Sequence, residues 1–382
     1  MAEHYGIVIA GGGPVGAALA LGLRASGHRV ALLEARPPAA ASADARMIAL
    51  SHGSRLILER LGAWQALPEV TPIRDIVISQ QRHFGRVELS AQEAGVPALG
   101  YVASYSALQR ALIRALAGGA VDVMTGCVAR EFEGGADAAA LKVDCAGVTR
   151  TFEARLVALA DGADGMRLAH VEERDYRQSA LVCDVVSELP HQNRAFERFT
   201  PDGPLALLPT VRGWSLVWTV RPARASELAA LDDRQFCAEL HTSFGAALGT
   251  FSLAGVRQVF PLKLKRARRP VAPRVVLVGN AAQSLHPVAG QGFNLGLRDA
   301  WELATAVRDA RDPGDAATLN AYFAERRFDR TATILFTDTL IRLFSNDIPL
   351  LDRLCGAGLT ALGGIAPAKN FLARRMMFGA RG

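Results

Sequence analysis

The residues from Val275 to Asp299 carry the clearest chemical signal in the chain. They begin as a short apolar run typical of a buried strand, continue through a turn, and enter a helix whose start contains Gly290 and Gly292. A helix start of this kind presents free backbone N–H groups, and glycines let an anionic ligand approach them closely. We therefore expect this segment to contact a phosphate group or the edge of a flavin.

A second glycine-rich turn lies near the beginning of the chain. Gly11, Gly13 and Gly16 follow the apolar run Tyr5 to Ala10 with the spacing GxGxxG, and a helical stretch comes after them. Such a turn lets the backbone approach a pyrophosphate, and Glu34, at the end of the next predicted strand, is placed to bind ribose hydroxyls. The pattern predicts a dinucleotide-binding βαβ unit, but it leaves both NAD and FAD open as the ligand.

The composition is that of a globular α/β enzyme. The chain has 382 residues, half of them hydrophobic and 36 of them glycine, so it can bury more than one core and form many tight turns. Its formal charge of +6 includes basic runs such as 263–269, which are usually solvated faces, so nucleic-acid binding is not expected. We expect no membrane span, since no run of about 18 apolar residues occurs, and no signal peptide.

Cysteine spacing predicts neither a disulfide framework nor a zinc site, and no other metal is expected. The five cysteines are far apart and form no CxxC pair, a pattern that fits a reducing cytoplasm. They are Cys127, Cys145, Cys183, Cys237 and Cys355.

Three motifs together resemble the FAD-dependent aromatic-ring hydroxylases of the para-hydroxybenzoate hydroxylase type. The motifs are the glycine turn at 11–16, the turn Ala160-Asp161-Gly162, and the segment 279–294. The middle motif of that family is ADGxxSxxR, whereas this chain has Gly165 in place of the serine and Arg167 one position early. The resemblance is therefore weakest at the middle motif.

Departures in the third motif narrow the resemblance to the ubiquinone-biosynthesis branch of that family, the 2-polyprenyl-6-methoxyphenol hydroxylases. The family motif is GDAAHxxxPxxGxGxN, and this chain has Asn280 where most members have Asp and Gln283 where many have His. The resemblance covers nearly the whole chain and becomes thin after about Leu340. Further stretches that agree with the branch are 44–50, 195–200, 203–206 and 215–218.

The element order and the resemblance imply an α/β fold with three parts. These are a Rossmann-like FAD-binding domain, an inserted, mostly antiparallel β-sheet substrate domain, and a helical C-terminus. We expect the FAD-binding domain at 1–70, 99–175 and 268–330, the substrate domain at 71–98 and 176–267, and the helical C-terminal region at 331–382.

The resemblance implies that FAD is bound noncovalently by residues from all three motifs. The glycine turn would hold the pyrophosphate, Glu34 the adenosine ribose, and Arg46 and Gln109 the flavin side. Asn280 would keep an acceptor and add a donor while removing a charge beside the pyrophosphate. The expected cofactor-binding residues are Gly11, Gly13, Pro14, Gly16, Glu34, Arg46, Gln109, Asp161, Gly162, Gly279, Asn280, Pro287, Gly290, Gly292, Phe293 and Asn294.

The resemblance also implies the reaction. An enzyme of this kind uses NADPH or NADH and O₂ to hydroxylate a prenylated phenol through a flavin C(4a)-hydroperoxide, so the cofactor carries the difficult step. Pro287 is the expected catalytic residue, through its backbone carbonyl, and His286 is a candidate base. A histidine just before a proline in a tight turn is as often structural, so both roles stay open for His286.

A prenyl tail resides in the bilayer, so the resemblance implies contact with a membrane surface, peripheral to the inner membrane. Residues 348–377 mix large apolar and basic side chains, as an interfacial helix does, but a helix packed on its own domain or on a partner subunit would look the same. A ubiquinone-biosynthesis complex is a further expected partner, and the oligomeric state stays open.

Two other functions remain possible for this chain. One is hydroxylation of a small soluble aromatic, and the other is a noncatalytic FAD-bound scaffold.

Overall fold

Strands that are apolar on both faces form the centre of the first sheet. The computed structural model describes residues 3–36, 44, 46–81, 85–161, 171–253, 255–344 and 349–379. Within these residues the first sheet has eight strands, in the order β18-β19-β11-β1-β2-β8, with β10 joining β11 to β9. The strands are β1 (Glu3–Ala10), β2 (Val30–Glu34), β8 (Val121–Thr125), β9 (Cys127–Gly134), β10 (Ala139–Cys145), β11 (Val148–Leu159), β18 (Val271–Ala272) and β19 (Val275–Leu277).

The predicted βαβ unit is present at the centre of this sheet. Helix α1 (Pro14–Leu23) connects β1 to β2, which pair in parallel, and β11 flanks β1 on the other side, also in parallel. Ile7, Val8 and Ile9 are completely buried, as expected for parallel strands covered on both faces. The glycine turn therefore lies at the carboxyl end of a central strand, where open α/β sheets bind ligands.

The second sheet is almost entirely antiparallel. In the described part of the chain it has nine strands, in the order β20-β17-β12-β15-β14-β13-β5-β6, with β16 beside β12. Only β5 and β13 pair in parallel among these neighbours. The strands are β5 (Asp75–Gln80), β6 (Arg86–Ser90), β12 (Val171–Ser187), β13 (Arg194–Thr200), β14 (Gly203–Thr210), β15 (Gly213–Val220), β16 (Phe251–Leu253), β17 (Gln258–Ala267) and β20 (Gln283–Ser284).

A small third sheet and the helices complete the described fold. The third sheet consists of β3 (Met47–Ser51), β7 (Gly100–Ser104) and β4 (Val70–Ile73), in that order. No helix of the described residues is long and apolar enough to cross a membrane. The remaining helices are α2 (His52–Arg60), α3 (Tyr105–Ala115), α4 (Pro222–Ala230), α5 (Asp233–Phe244), α6 (Gln291–Val307), α7 (Ala316–Phe344), α8 (Pro349–Gly364) and α9 (Ala366–Phe378).

The predicted fold class is confirmed, with a Rossmann-like sheet, an antiparallel sheet and a helical C-terminus. The domain boundaries stay a prediction, and β4, β12 and α7 each run across one of them. Helix α7 runs without a break through the boundary expected at 331, and β20, expected in the FAD-binding domain, pairs with β17 of the second sheet. The segment that carries the third motif thus joins the two sheets directly.

The prediction of no disulfide is wrong for one pair of cysteines. Cys127 and Cys145 lie directly opposite each other on the antiparallel strands β9 and β10, with 4.1 Å between their Cα atoms, and form a disulfide. Ala146 N–H donates to the Gly126 carbonyl next to the pair, which makes it a non-hydrogen-bonded pair, the kind with the closest side chains. Spacing along the chain could not show this, because it depends on strand register. Cys183, Cys237 and Cys355 are free.

Candidate active site

A cavity of about 700 Å³ lies where the carboxyl ends of β1, β2 and β11 face the second sheet. Its volume is within the range of sites that bind cofactors and small molecules. The expected site residues that line it together are Gly11, Gly13, Pro14, Glu34, Arg46, Asp161, Asn280, His286, Pro287, Gly290, Gly292 and Phe293. The structure therefore brings residues from distant parts of the chain to one site.

Close backbone packing determines the shape of the glycine turn. A Cβ atom on Gly16 would lie 1.9 Å from the carbonyl oxygen of Gly11, so no other residue fits there without moving the turn. Gly13 is the N-cap of α1 and offers no side-chain cap, which leaves the first N–H groups of the helix directed at the cavity. Gln109 Nε2 donates to the carbonyl of Gly12 at 3.3 Å. Gln109 thus supports the turn on the side away from the cavity, and the free N–H groups on the cavity side can bind an anion.

Charged residues mark the end of the cavity near β2. Glu34 contacts Gly12 and accepts hydrogen bonds from the backbone N–H and the Nε of Arg36, both at 2.9 Å. Val128 and Ala129, just after the disulfide, line the same end. A carboxylate next to a glycine turn is the arrangement that binds a ribose hydroxyl pair.

Arg46 lies between the charged end and the second sheet. Its Nε donates to Asp44 at 2.8 Å, and the guanidinium lies over the rings of Tyr105 and Phe260, 5.4 and 5.8 Å from their centroids. The hydrogen bond from Arg46 lowers the pKa of Asp44, so this pair stays charged at neutral pH. Two aromatic rings and one carboxylate thus hold the arginine in the cavity wall.

The N-terminus of α6 forms another wall. Gly290, its N-cap, has a φ of 60°, a left-handed conformation that favours glycine, and no acidic residue occupies the first turn. A Cβ atom on Gly292 would meet nothing within 4 Å, so the cavity has free space beside this backbone. The partial positive charge of the helix end favours an anionic or electron-rich group there.

Asn294 holds this helix start in place from outside the cavity. Its Oδ1 accepts hydrogen bonds from Ser51 N–H at 2.8 Å and Ser54 Oγ at 2.7 Å, and its Nδ2 donates to the carbonyls of Ala49 and Gly290. A buried amide with all of these bonds made is rigid. The third motif is therefore fixed to β3 and α2 by a single side chain.

Gln283 connects the same loop to the long helices. Its Nε2 donates to Asp299 Oδ2 at 2.6 Å, and its Oε1 accepts from Arg330 Nε at 2.7 Å. Asp299 also accepts from Arg326 Nε at 2.9 Å, and Arg326 pairs with Asp329, as does Arg298. All of these side chains are buried. An amide can donate to a carboxylate and accept from a guanidinium at once, which accounts for glutamine at this position.

His286 is held as a neutral ring. It is 1% exposed, and its Nδ1 accepts the N–H of Val288 at 3.1 Å, so the proton is on Nε2. Burial lowers the pKa of His286 to about 3. The ring packs edge to face with Tyr176. A histidine whose basic nitrogen already accepts a backbone proton is better placed to hold the turn than to act as a base.

Some expected cofactor residues lie behind the cavity wall. Gly16, Gln109, Gly279 and Asn294 support the loops that line the cavity, and Gly279 packs against Val15. Gly162 lies outside the described residues, as do Gly165 and Arg167 of the altered middle motif. Binding of a cofactor by each expected residue stays a prediction.

One wall of the cavity comes from residues that the motifs did not indicate. It is the face of the second sheet, where small and apolar side chains from β12, β13, β14, β15 and β17 point inward. The alternation of apolar and polar residues along the strands predicts that one face of the sheet is buried, but it does not show which face is turned to the cofactor. These residues are Ala180, Val182, Ala195, Ala206, Leu208, Val217, Phe260 and Leu262.

The residues of the cavity fit FAD. The uncapped N-terminus of α1 suits the pyrophosphate, Glu34 the ribose, and the open backbone at Gly292 leaves space where a side chain would fill it. The apolar sheet face adjoins that space, so a ring system and a second, apolar ligand can share the cavity.

Comparisons with known proteins agree with this geometry. A family model described as an FAD binding domain matches residues 4–336. Ubiquinone hydroxylase UbiL of Rhodospirillum rubrum is 36% identical over 394 residues, which cover 97% of this chain and 89% of that protein. The 3-demethoxyubiquinol 3-hydroxylase of Escherichia coli is 35% identical over 373 residues, which cover 93% and 94% of the two chains.

A solved structure shows the same fold at lower sequence identity. The p-nitrophenol 4-monooxygenase PnpA of Pseudomonas putida superposes with a TM-score of 0.81 at 18% identity, over 100% of each chain. The structural comparison thus covers the whole chain, and the relatives cover nearly all of it.

We predict that Gln283→Leu weakens both folding and FAD binding. The change leaves buried Asp299 and Arg330 each without one hydrogen bond, which costs roughly 2–4 kcal/mol of unfolding free energy. Urea unfolding and a flavin-fluorescence titration measure the two effects. Gln92→Leu, at an exposed turn, is the matched control and should change neither by more than about 0.5 kcal/mol. Wild-type stability in Gln283→Leu would contradict the role of the network.

We predict that His286→Gln leaves the shape of the pH–rate profile unchanged between about pH 6 and 9, because the ring is neutral throughout that range. The pKa falls from 6.5 to about 3 on folding. The wild type should therefore lose stability as the pH drops below about 6.5, by at most about 1.4 kcal/mol per unit. The variant should lose less. His4→Gln, at an exposed site, is the control. An inflection in the pH–rate profile that His286→Gln abolishes and His4→Gln keeps would support a role for His286 as a base.

Proposed function

Since the chain belongs to the FAD binding domain family of FAD-dependent monooxygenases, we propose that it hydroxylates a prenylated phenol in ubiquinone biosynthesis. The enzyme uses FAD, with NAD(P)H as reductant and O₂ as the second substrate. Relatives that are named ubiquinone hydroxylase and 3-demethoxyubiquinol 3-hydroxylase support the pathway. A 2-polyprenyl-6-methoxyphenol is the substrate that we propose.

The observation that carries this proposal is the apolar sheet face beside the cofactor part of the cavity. Ala180, Val182, Ala206 and Val217 line it, and small side chains at several of these positions leave room for a substituted ring. An apolar wall favours a ligand with large hydrocarbon groups, because burial contributes about 25 cal/mol per Å² of apolar surface. A small polar aromatic would gain little from such a wall.

Bound FAD, reduced by NAD(P)H, supplies the activated oxygen that enters the phenol ring. The residues of this chain orient the reactants and exclude water from them. The Pro287 carbonyl accepts a hydrogen bond from the N–H of Gly290 at 2.9 Å, and its second lone pair can accept a hydrogen bond from a substrate hydroxyl. His286 holds the turn that presents this carbonyl, through its bond from Val288 N–H.

We also propose that the surface formed by α7 and α9 contacts a membrane that contains the substrate. Phe328 and Phe371 are each 65% exposed, and the guanidinium of Arg375 lies 5.6 and 5.8 Å from their ring centroids. Met376, on the inward side of α9, lines the cavity. Exposed aromatic rings beside basic residues are typical of an interface with anionic lipid.

The experiment for the reaction uses purified FAD-loaded protein, NADPH or NADH, and a short-chain 2-methoxy-6-prenylphenol. We expect reductant oxidation that depends on the phenol and a product that gains one oxygen atom from ¹⁸O₂, detected by mass spectrometry. Turnover of 4-hydroxybenzoate but not of the prenylated phenol would favour the soluble-aromatic alternative. If the reductant is not oxidised with either compound, the result would favour the alternative of a noncatalytic FAD-bound scaffold. A deletion strain should accumulate 2-polyprenyl-6-methoxyphenol.

The experiment for the membrane surface is cosedimentation with liposomes that contain phosphatidylglycerol. We expect the double substitution Phe328→Ser and Phe371→Ser to lower binding at least about tenfold, since each ring contributes one or more kcal/mol when buried. Val148→Ser with Val256→Ser removes two exposed apolar side chains elsewhere and is the matched control. Equal binding by the two double variants would contradict the assignment of this surface.

A further inference from the structure

Helix α9 carries a row of large apolar side chains along one face. Leu372 and Met376 lie one turn apart, and Ile365, the N-cap of the helix, precedes Leu372 by about two turns. Ile365 is 52% exposed, whereas Leu372 and Met376 are half-buried. Ala373 and Met377, on the neighbouring face, are buried in the core. This apolar row therefore follows the boundary between the packed face of α9 and solvent.

The inner end of the apolar row reaches the cavity. Met376 lines the cavity, and its carbonyl accepts a hydrogen bond of 3.5 Å from Nε2 of Gln291, the first residue of α6. The outer end is Ile365, at the protein surface. A helix rises about 1.5 Å per residue, so the row spans about 16 Å from end to end. It leads from the cavity to the surface.

The charge of Lys369, which lies beside the row, is turned away from it and neutralised. Its Nζ donates to Glu93, in the turn after β6, at 2.7 Å, and its side chain is only 14% exposed. The methylenes of a lysine held in this way add apolar surface. The row thus stays apolar between Ile365 and Leu372.

The apolar row is continuous with the apolar part of the cavity wall. Leu372 and Met376 pack against a buried cluster that includes Leu89 of β6 and Leu359 of α8. Ile76 of β5 packs against the same cluster and also lines the cavity. A hydrocarbon chain that starts in the cavity can therefore pass Met376 without leaving apolar surface.

The size of the cavity requires a long tail to leave it. A volume of about 700 Å³ suits one cofactor and a substituted ring, and sites of this size hold ligands of roughly drug size. A chain of several isoprene units adds length that the cavity does not accommodate. Such a chain gains free energy wherever it covers apolar side chains and none where it covers charged ones.

We propose that the prenyl tail of the substrate leaves the cavity past Met376 and lies along the apolar row of α9, over Leu372 toward Ile365. The inference rests on the proposed hydroxylation of a prenylated phenol and adds the site that recognises the tail. The ligand class of this site is a hydrocarbon chain of several isoprene units. The proposed membrane surface, at Phe371, is on the same helix, so the free end of the tail and the bilayer meet there.

The experiment compares two ligands that differ only in the tail, namely 2-methoxyphenol and 2-methoxy-6-farnesylphenol. Dissociation constants are measured in lipid-free buffer from the change in flavin absorbance of the FAD-loaded protein. Wild type should bind the farnesyl compound at least about 30-fold more tightly, because buried hydrocarbon adds to affinity. Leu372→Gln and Met376→Gln place an amide on the row, so each should lower this ratio about fivefold or more. Met376→Leu keeps an apolar side chain and should keep most of the ratio.

The matched control is Leu189→Gln, the same change at a leucine that is 50% exposed after β12. It should leave the ratio within about twofold of wild type. FAD content and urea midpoints verify that the variants fold. Equal binding of the two ligands by wild type, or a wild-type ratio in both Leu372→Gln and Met376→Gln, would overturn the inference. If wild type shows the expected ratio but hydroxylates neither phenol, the proposed function fails, whereas the route of the tail is supported.

Discussion

The position of the third motif depends on the buried bond between Gln283 and Asp299. This bond and the bond from Arg330 tie the loop that crosses the cavity to both α6 and α7. The same loop contributes β20 to the second sheet, so the two sheets meet through it. Buried charges of this kind are costly unless they are paired, so the loss of one of these bonds would destabilise the arrangement. The hydrogen bonds of Gln283 with Asp299 and Arg330 therefore help to determine the shape of the cavity.

This connection also explains how two unlike sheets make one site. The parallel sheet presents strand ends and helix N-termini, which carry backbone N–H groups suited to phosphates. The antiparallel sheet presents a continuous face, which offers side chains and no free backbone groups, and is suited to an apolar ring. Neither sheet could bind both the dinucleotide and a hydrophobic substrate. Because β20 belongs to the second sheet and Gly279 packs on Val15 of α1, the two surfaces face each other at a fixed distance.

The sequence could predict those parts of the site whose shape is determined by contacts between residues close together in the chain. The glycine turn is such a part, because the short contact between Gly16 and Gly11 arises within six residues. The disulfide depends instead on strand register, which decides whether Cys145 lies opposite Cys127. Gln109 and Asn294 were expected at the cofactor, and the structure places them behind the loops that line the cavity, so their contact with FAD stays a prediction. A motif identifies residues that a loop needs, and it does not separate ligands from supports.

Among the described residues that line the cavity, charged side chains lie mostly at the nucleotide end, and the opposite wall is largely apolar. Glu34, Arg36, Asp44 and Arg46 lie on the side of β2, mostly paired with one another. Asn280 replaces an acid in the middle of the site, and the helix ends there carry only partial charges. Beyond them the described wall from the second sheet consists mainly of apolar side chains. Apolar surface gains free energy when it is buried on such a wall, whereas a charged group loses hydration there, so the wall supports the hydrophobic substrate that we propose.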